Sequence, residues 1–138
     1  MYLLDTNVIS AFRRPERLPK TVQAWAESVE SGDFFLSAIT VLEIEQGILA
    51  RNRSDTAQGS ILRDWFDNDV LPAFEDRILS FDAEIARRCA ALHVPDPRPE
   101  RDAMIAATAI IHGLTVITRN VADFEKLQVA LIDPWAFG

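Results

Sequence analysis

The sequence predicts an α/β protein with a short, mostly parallel central sheet flanked by helices. Three observations predict it. Short apolar segments (Met1–Leu4, Phe34–Leu36, Ile78–Phe81, Thr115–Thr118) alternate with longer segments of helical periodicity. Strands spaced in this way need crossover connections, and so form a parallel sheet covered on both faces. Polar residues gather just after the first and the late strand, in Leu3-Leu4-Asp5-Thr6-Asn7 and Thr118-Arg119-Asn120-Val121-Ala122-Asp123-Phe124. The carboxyl ends of strands are where open sheets of this kind bind ligands.

The elements follow in order. Met1–Leu4 is the first strand, and Thr6–Phe12 a helix for which Asp5, Thr6 and Asn7 offer capping oxygens. Arg13-Arg14-Pro15 ends it, Val22–Val29 is a second helix closed by Ser31-Gly32, and Phe34-Phe35-Leu36 is strand two. Ile39–Ala50 is a helix with Val41, Ile44 and Ile48 on one stripe. Asp55–Val70 is a longer helix expected to stop before Pro72. Ile78–Phe81 is strand three, and Asp82–Leu92 a helix capped by Asp82. Val94–Pro99 holds three prolines and is a stiff loop. Arg101–His112 is a helix with Gly113 as its C-cap, Thr115–Thr118 is strand four, Val121–Leu127 a short helix and Leu131-Ile132 a last strand.

With 138 residues and no repeat or linker, the expectation is a single domain over 1–138. Nearly half the residues are apolar and a quarter charged, the balance of an ordinary globular chain. No apolar run approaches the ~20 residues of a membrane span, and Met1-Tyr2-Leu3-Leu4-Asp5 has no basic leader. Cys89 is the one cysteine and sits in an Ala-rich helix, so a buried, inert thiol and a cytoplasmic setting are expected. The net charge of −7 argues against capture of nucleic acid over a broad basic face. It leaves room for an acidic cation site, because a bound metal reverses the local field.

Four acids carry the functional reading: Asp5, Glu43, Asp102 and Asp123. Each has an ordinary explanation. Asp5 caps the first helix, Glu43 is a solvated helix residue, Asp102 favours the dipole of its helix, and Asp123 caps the short helix after strand four. Yet each stands at the edge of an apolar stretch. Glu43 shares a helix face with Thr40 and Gly47, and a glycine inside a helix costs roughly 1 kcal/mol relative to alanine. Asp102 continues the inward stripe of Ile105, Ala106, Ala109 and Ile110. Two carboxylates ~5 Å apart at an effective dielectric of ~20 repel by roughly 3 kcal/mol, and four by on the order of 10 kcal/mol. Either their pKa values rise or a divalent cation holds them together. Hard oxygen donors with no Cys/His cluster select Mg²⁺ or Mn²⁺ rather than zinc.

Other features carry less. His93 and His112 stand at helix ends, Ser37 and Ser80 lack a His/Asp companion, and the five glycines form no phosphate-binding loop. Trp25, Trp65, Trp135 and Phe137 read as core or interface.

In that order and spacing, four segments resemble the motifs of PIN-domain ribonucleases. Leu3-Leu4-Asp5-Thr6-Asn7-Val8 is similar to their opening motif. Ser37-Ala38-Ile39-Thr40-Val41-Leu42-Glu43-Ile44-Glu45-Gln46-Gly47 is similar to the second, with an acid four residues before a glycine. Arg101-Asp102-Ala103-Met104-Ile105-Ala106-Ala107-Thr108-Ala109 resembles the third, and Thr118–Phe124 the fourth. Within the family the chain resembles VapC-type toxins of type II toxin–antitoxin systems, in the subgroup that pairs with a small DNA-binding antitoxin.

The resemblance implies a three-layer α/β/α sandwich and a metal pocket lined by Asp5, Glu43, Asp102 and Asp123. Thr6, Asn7, Thr118 and Asn120 would support it. Some family members carry a fifth acid where this chain has Asn120, which puts a second metal site in doubt. The implied activity is endonucleolytic cleavage of RNA by metal-activated water, with Asp5 and Asp102 contacting the ion and Glu43 and Asp123 holding waters or a second ion. The resemblance also implies a homodimer and an antitoxin that blocks the pocket. On the residues themselves, Arg13, Arg14, Arg17 and Lys20 after the first helix, and Arg98 and Arg101 beside Asp102, are candidates for contacting the RNA backbone. Two other readings compete: a haloacid-dehalogenase-like phosphatase using Asp5, which would want an acid where Asn7 stands, and a non-catalytic PIN-like module acting through its partner.

Overall fold

The computed structural model describes residues 1–137. Five strands form one parallel sheet: β1 (Tyr2–Leu4), β2 (Phe34–Ser37), β3 (Ile78–Leu79), β4 (Thr115–Ile117) and β5 (Leu131–Ile132), in the order β3-β2-β1-β4-β5. The chain begins at the centre and builds outward, first to β2 and β3, then across to β4 and β5. The order therefore reverses at β1. The crevice of such a sheet opens beyond the carboxyl end of the strand where the order switches, and that is where Asp5 stands.

Successive strand residues point to opposite faces, and the core divides accordingly. Leu4, Leu36 and Ile117 pack on one side with Val8 and Ile9 of α1 (Thr6–Ala11) and Ile44 and Ile48 of α3 (Ala38–Ser54). Leu3 and Val116 pack on the other with Ile85 of α6 (Ala83–Leu92) and the alanine-rich face of α7 (Glu100–His112). The result is the expected three-layer α/β/α sandwich. Cys89 is buried and unpaired on α6. No helix among the described residues is long and apolar enough to cross a membrane.

Most helix signals stand. Asp5, Ser37, Asp55 and Asp82 accept backbone N–H groups at the starts of α1, α3, α4 (Thr56–Trp65) and α6. Gly113 closes α7 at φ +68°. Two readings need correction. Helix α3 runs on to Ser54, past the expected end at Ala50, with Arg51 and Arg53 favouring its last turn. The helix expected to stop before Pro72 instead passes through it: α4 widens into a π turn (Phe66–Val70) and a single turn α5 (Leu71–Ala73) holds the proline. A proline ordinarily clashes with the carbonyl four residues back. Here the Leu71 N–H reaches Phe66 O in the wider register, and π turns accommodate such a misfit.

Candidate active site

Asp5 follows β1 and caps α1, and the same placement makes it the centre of the site. It is 4 % exposed. Its Oδ1 accepts the Thr6 N–H at 2.8 Å and its Oδ2 accepts the Thr118 hydroxyl at 2.8 Å. Thr118 directly follows the neighbouring strand β4 and is itself fully buried. Its hydroxyl oxygen also accepts the Asn120 N–H, which shapes the turn into α8 (Val121–Phe124). Burial raises the pKa of Asp5, the bonds from Thr118 and Thr6 oppose that rise, and the charges of Glu43 and Asp123 add to it.

Glu43 reaches the same edge from α3. The Thr6 hydroxyl donates to Glu43 Oε1 at 2.8 Å and lies 3.1 Å from the hydroxyl of buried Thr40. A hydroxyl has one proton to give, so the chain runs from Thr40 through Thr6 to Glu43. The other glutamate of this helix turn is committed elsewhere: Arg63 grips Glu45 with two bonds of 2.7 and 2.6 Å. That pairing holds Glu45 below the usual carboxylate range and distinguishes it from Glu43.

Asp102 lies in the first turn of α7, half-buried, with no ion pair or side-chain hydrogen bond among the described residues. Burial lifts its pKa to about 6, and the charges of Asp5, Asp123 and Glu43 all push the same way. The four acids therefore converge within electrostatic reach of one another. Asp123 is the most exposed of them and does not cap α8: the cap position is Asn120, which makes no side-chain capping bond. The carboxylate of Asp123 is left free to face the site.

The donor chemistry fits a hard divalent cation: all four groups are carboxylates, two have raised pKa values, and none has a basic partner. Among the described residues, no group of three or more His, Cys, Asp or Glu side chains is placed to hold a metal ion. Asn7 adds a buried Oδ1 without a hydrogen-bond partner, and Asn120 is exposed beyond Thr118.

The six basic candidates separate. Arg13, Arg14 and Arg17 line a single cavity at the end of α1. Lys20 begins α2 (Lys20–Ser28) and is exposed. Arg101 reaches Gln46 Oε1 at 3.4 Å. The Arg98 backbone N–H donates to His93 Nδ1 at 3.1 Å, while its Nε is buried without a partner. So His93 is tied into the proline-rich loop, away from any chemistry. Trp25, Trp65 and Trp135 pack against the core as expected, whereas Phe137 is 45 % exposed. Two site features escape sequence reading: the hydroxyl of Thr40, which looked only like a small neighbour, and the pairing of Arg119 with Trp135 at 4.6 Å.

Known proteins resemble the chain over nearly its whole length. The family model described as PIN domain matches residues 2–129. Toxin FitB of Neisseria gonorrhoeae is 38% identical over 141 residues, covering 98% of this chain and 99% of that protein. VapC ribonuclease Y4jK of Sinorhizobium fredii is 35% identical over 140 residues, 98% of each. Among solved structures, FitAcB from Neisseria gonorrhoeae superposes with a TM-score of 0.87 at 37% identity over 99% of both chains. A toxin–antitoxin complex from Klebsiella pneumoniae superposes at 0.65 with 25% identity, over 97% of this chain and 98% of that one.

Proposed function

The chain belongs to the PIN-domain family, and on that premise we propose that it is a metal-dependent endoribonuclease, the toxin of a toxin–antitoxin module. The observation that carries the reading is Asp102, held near pKa 6 among Asp5, Asp123 and Glu43 with no basic side chain to balance them. A structural role gives no reason to gather unpaired acids at the switch point of a sheet. Relatives named as a VapC ribonuclease and a toxin support the same conclusion. We read residues 1–138 as one such domain.

In this proposal Asp5 and Asp102 hold one Mg²⁺ or Mn²⁺ directly, and Glu43 and Asp123 reach it through water. Mg²⁺ ordinarily keeps several of its waters, which lets acids that do not touch the ion act through them. The bound ion would supply a water of lowered pKa and offset the charge of the phosphodiester. The chain's own residues prepare the site. Thr118 and the Thr6 N–H occupy one lone pair on each Asp5 oxygen and so fix the carboxylate plane. Thr40 and Thr6 orient Glu43. Asn120 presents a carbonyl where a fifth acid would add charge, which favours one ion over two.

The partners follow from the family. An antitoxin would cover the acidic edge, in keeping with the toxin–antitoxin complex that shares the fold. We assign the homodimer contact to α3 and α4, which expose Leu42, Leu49 and Ile61. Helix α6 turns Glu84, Arg87 and Arg88 outward. Action on RNA places the protein in the cytoplasm, where Cys89 stays reduced.

The deciding experiment is cleavage of a synthetic single-stranded RNA pool with Mg²⁺, with Mn²⁺ and with EDTA. Cleavage with either ion, absent in EDTA, is the expected result. Equal cleavage in EDTA refutes the proposal.

A further inference from the structure

The concentrated positive charge of this acidic protein lies at the far end of α1 from Asp5. A cavity of about 220 Å³ is lined by Arg13, Arg14, Arg17 and Arg119, with Ser10 and Trp135 among the other residues of its wall. None of the four arginines forms an ion pair among the described residues. Guanidinium groups are seldom gathered without an acid, because like charges repel. Burial and the charges of Arg14 and Arg17 make Arg13 easier to deprotonate than usual, and the nearby Glu16 carboxylate offsets this only in part. Such a cluster is poised for an anion, and guanidinium forks match phosphate oxygens.

We propose that this cavity binds a phosphodiester of the same RNA strand, next to the one at the acids. The proposal rests on the ribonuclease reading above, and two observations make it specific. First, the two places adjoin at one residue. Ser10 lines the arginine cavity and also the groove that holds Thr6 and Glu43. Thr6 and Ser10 are four residues apart on α1, about 6 Å along its axis. A strand leaving the acids over Thr6 therefore meets the arginines at once. Second, the aromatic at the cavity is already occupied. Arg119 covers one Trp135 face at 4.6 Å, and Phe12 stacks with the ring at 6.4 Å and 25°. With Arg119 over its ring, Trp135 is engaged by a guanidinium, and the arginines are left to contact phosphates, which carry no sequence information. An acidic peptide would satisfy the same guanidiniums, but only a polyanion threaded past the acids requires that the two places adjoin.

The test is titration of fluorescent oligouridylate into the intact protein in EDTA, so that binding is read without cleavage. Arg14→Gln combined with Arg119→Gln is expected to weaken binding by on the order of tenfold. The plot of log affinity against log salt should become shallower by about 0.7 for each phosphate that is no longer neutralised. Arg53→Gln, on the exposed last turn of α3, removes a charge elsewhere and should leave that slope alone. With Mn²⁺ present, the loss in the double variant should fall on KM and recover at saturating RNA. An unchanged affinity and slope in the double variant would overturn the proposal. So would weakened binding of the antitoxin with RNA binding intact, which assigns the cavity to an acidic peptide. Absence of metal-dependent cleavage by the unaltered protein would instead defeat the ribonuclease reading, while the titration in EDTA still reports on the cavity.

Discussion

Thr118 donates its hydroxyl proton to Asp5 Oδ2 at 2.8 Å, joining residues 113 positions apart inside the core. The contact exists because β4 lies beside β1 in parallel register, with Ile117 opposite Leu4. Each strand then delivers its next residue to the same edge. Thr118 restrains the Asp5 pKa against burial and aims the free side of the carboxylate outward.

Replacing Thr118 with valine keeps the shape and removes the donor. A buried acceptor left unsatisfied costs about 1–3 kcal/mol, so the melting temperature should fall by several degrees. RNA cleavage should fall by about 10–100-fold, the usual effect of removing a partner behind a metal ligand. Melting curves and cleavage rates check this, and a variant as active as the parent would show that Asp5 needs no such support.

Asp5→Asn should separate function from stability. It keeps the side-chain shape and an acceptor oxygen while removing a buried charge that Glu43 and Asp123 oppose. The metal-free protein should become more stable, by on the order of 1 kcal/mol. Cleavage should drop beyond the ~100-fold expected for an outer-shell partner. Retained cleavage in the purified variant would remove Asp5 from the chemistry.

Much of this was legible in the sequence, because the signals were local. Asp5 is readable where the apolar run of β1 stops, and Thr118 where that of β4 stops. The caps Asp5 and Asp82 and the αL glycine Gly113 are equally local. What was hidden depends on contacts distant in the chain. The Thr6–Glu43 bond spans 37 residues, and Arg119 meets Trp135 only after β5 has returned to the sheet edge. The passage of the helix through Pro72 was hidden for a different reason: the π turn that permits it leaves no mark on side-chain periodicity.

The pKa of Asp102 gives a stability prediction with a definite sign. Its folded value is about 6 against 3.8 as a free side chain. Well below pH 3.8 the group is protonated in both states and costs nothing. As pH rises from there through about 6, the unfolded chain ionises first, so the folded state of the metal-free protein loses ground. Other carboxylates slope the opposite way, Glu45 among them, so the comparison must be with Asp102→Asn. The two proteins should match near pH 3 and diverge by pH 7, with the variant ahead by on the order of 1 kcal/mol, a figure discounted for partial exposure. Urea midpoints in EDTA at three pH values decide it, and a parent gaining on the variant as pH rises would reverse the assignment.

The two glycines within helices should respond oppositely to alanine. A Cβ at Gly47 meets nothing within 4 Å, so alanine there gains helix propensity without a clash, a stabilisation of up to about 1 kcal/mol. That open space is part of the groove shared with Thr6 and Glu43, so the glycine is not there to pack against its own chain. A Cβ at Gly59 would lie 2.7 Å from the Asn52 Cα and 2.8 Å from its Cβ, where α4 crosses α3. Backbone cannot yield as a flexible side chain can, so Gly59→Ala should cost about 1–3 kcal/mol through overpacking. Thermal melts of the two variants should move in opposite directions. If Gly47→Ala destabilises the fold, the space beside Glu43 is too tight for a methyl group, and the groove that leads to the arginines closes with it.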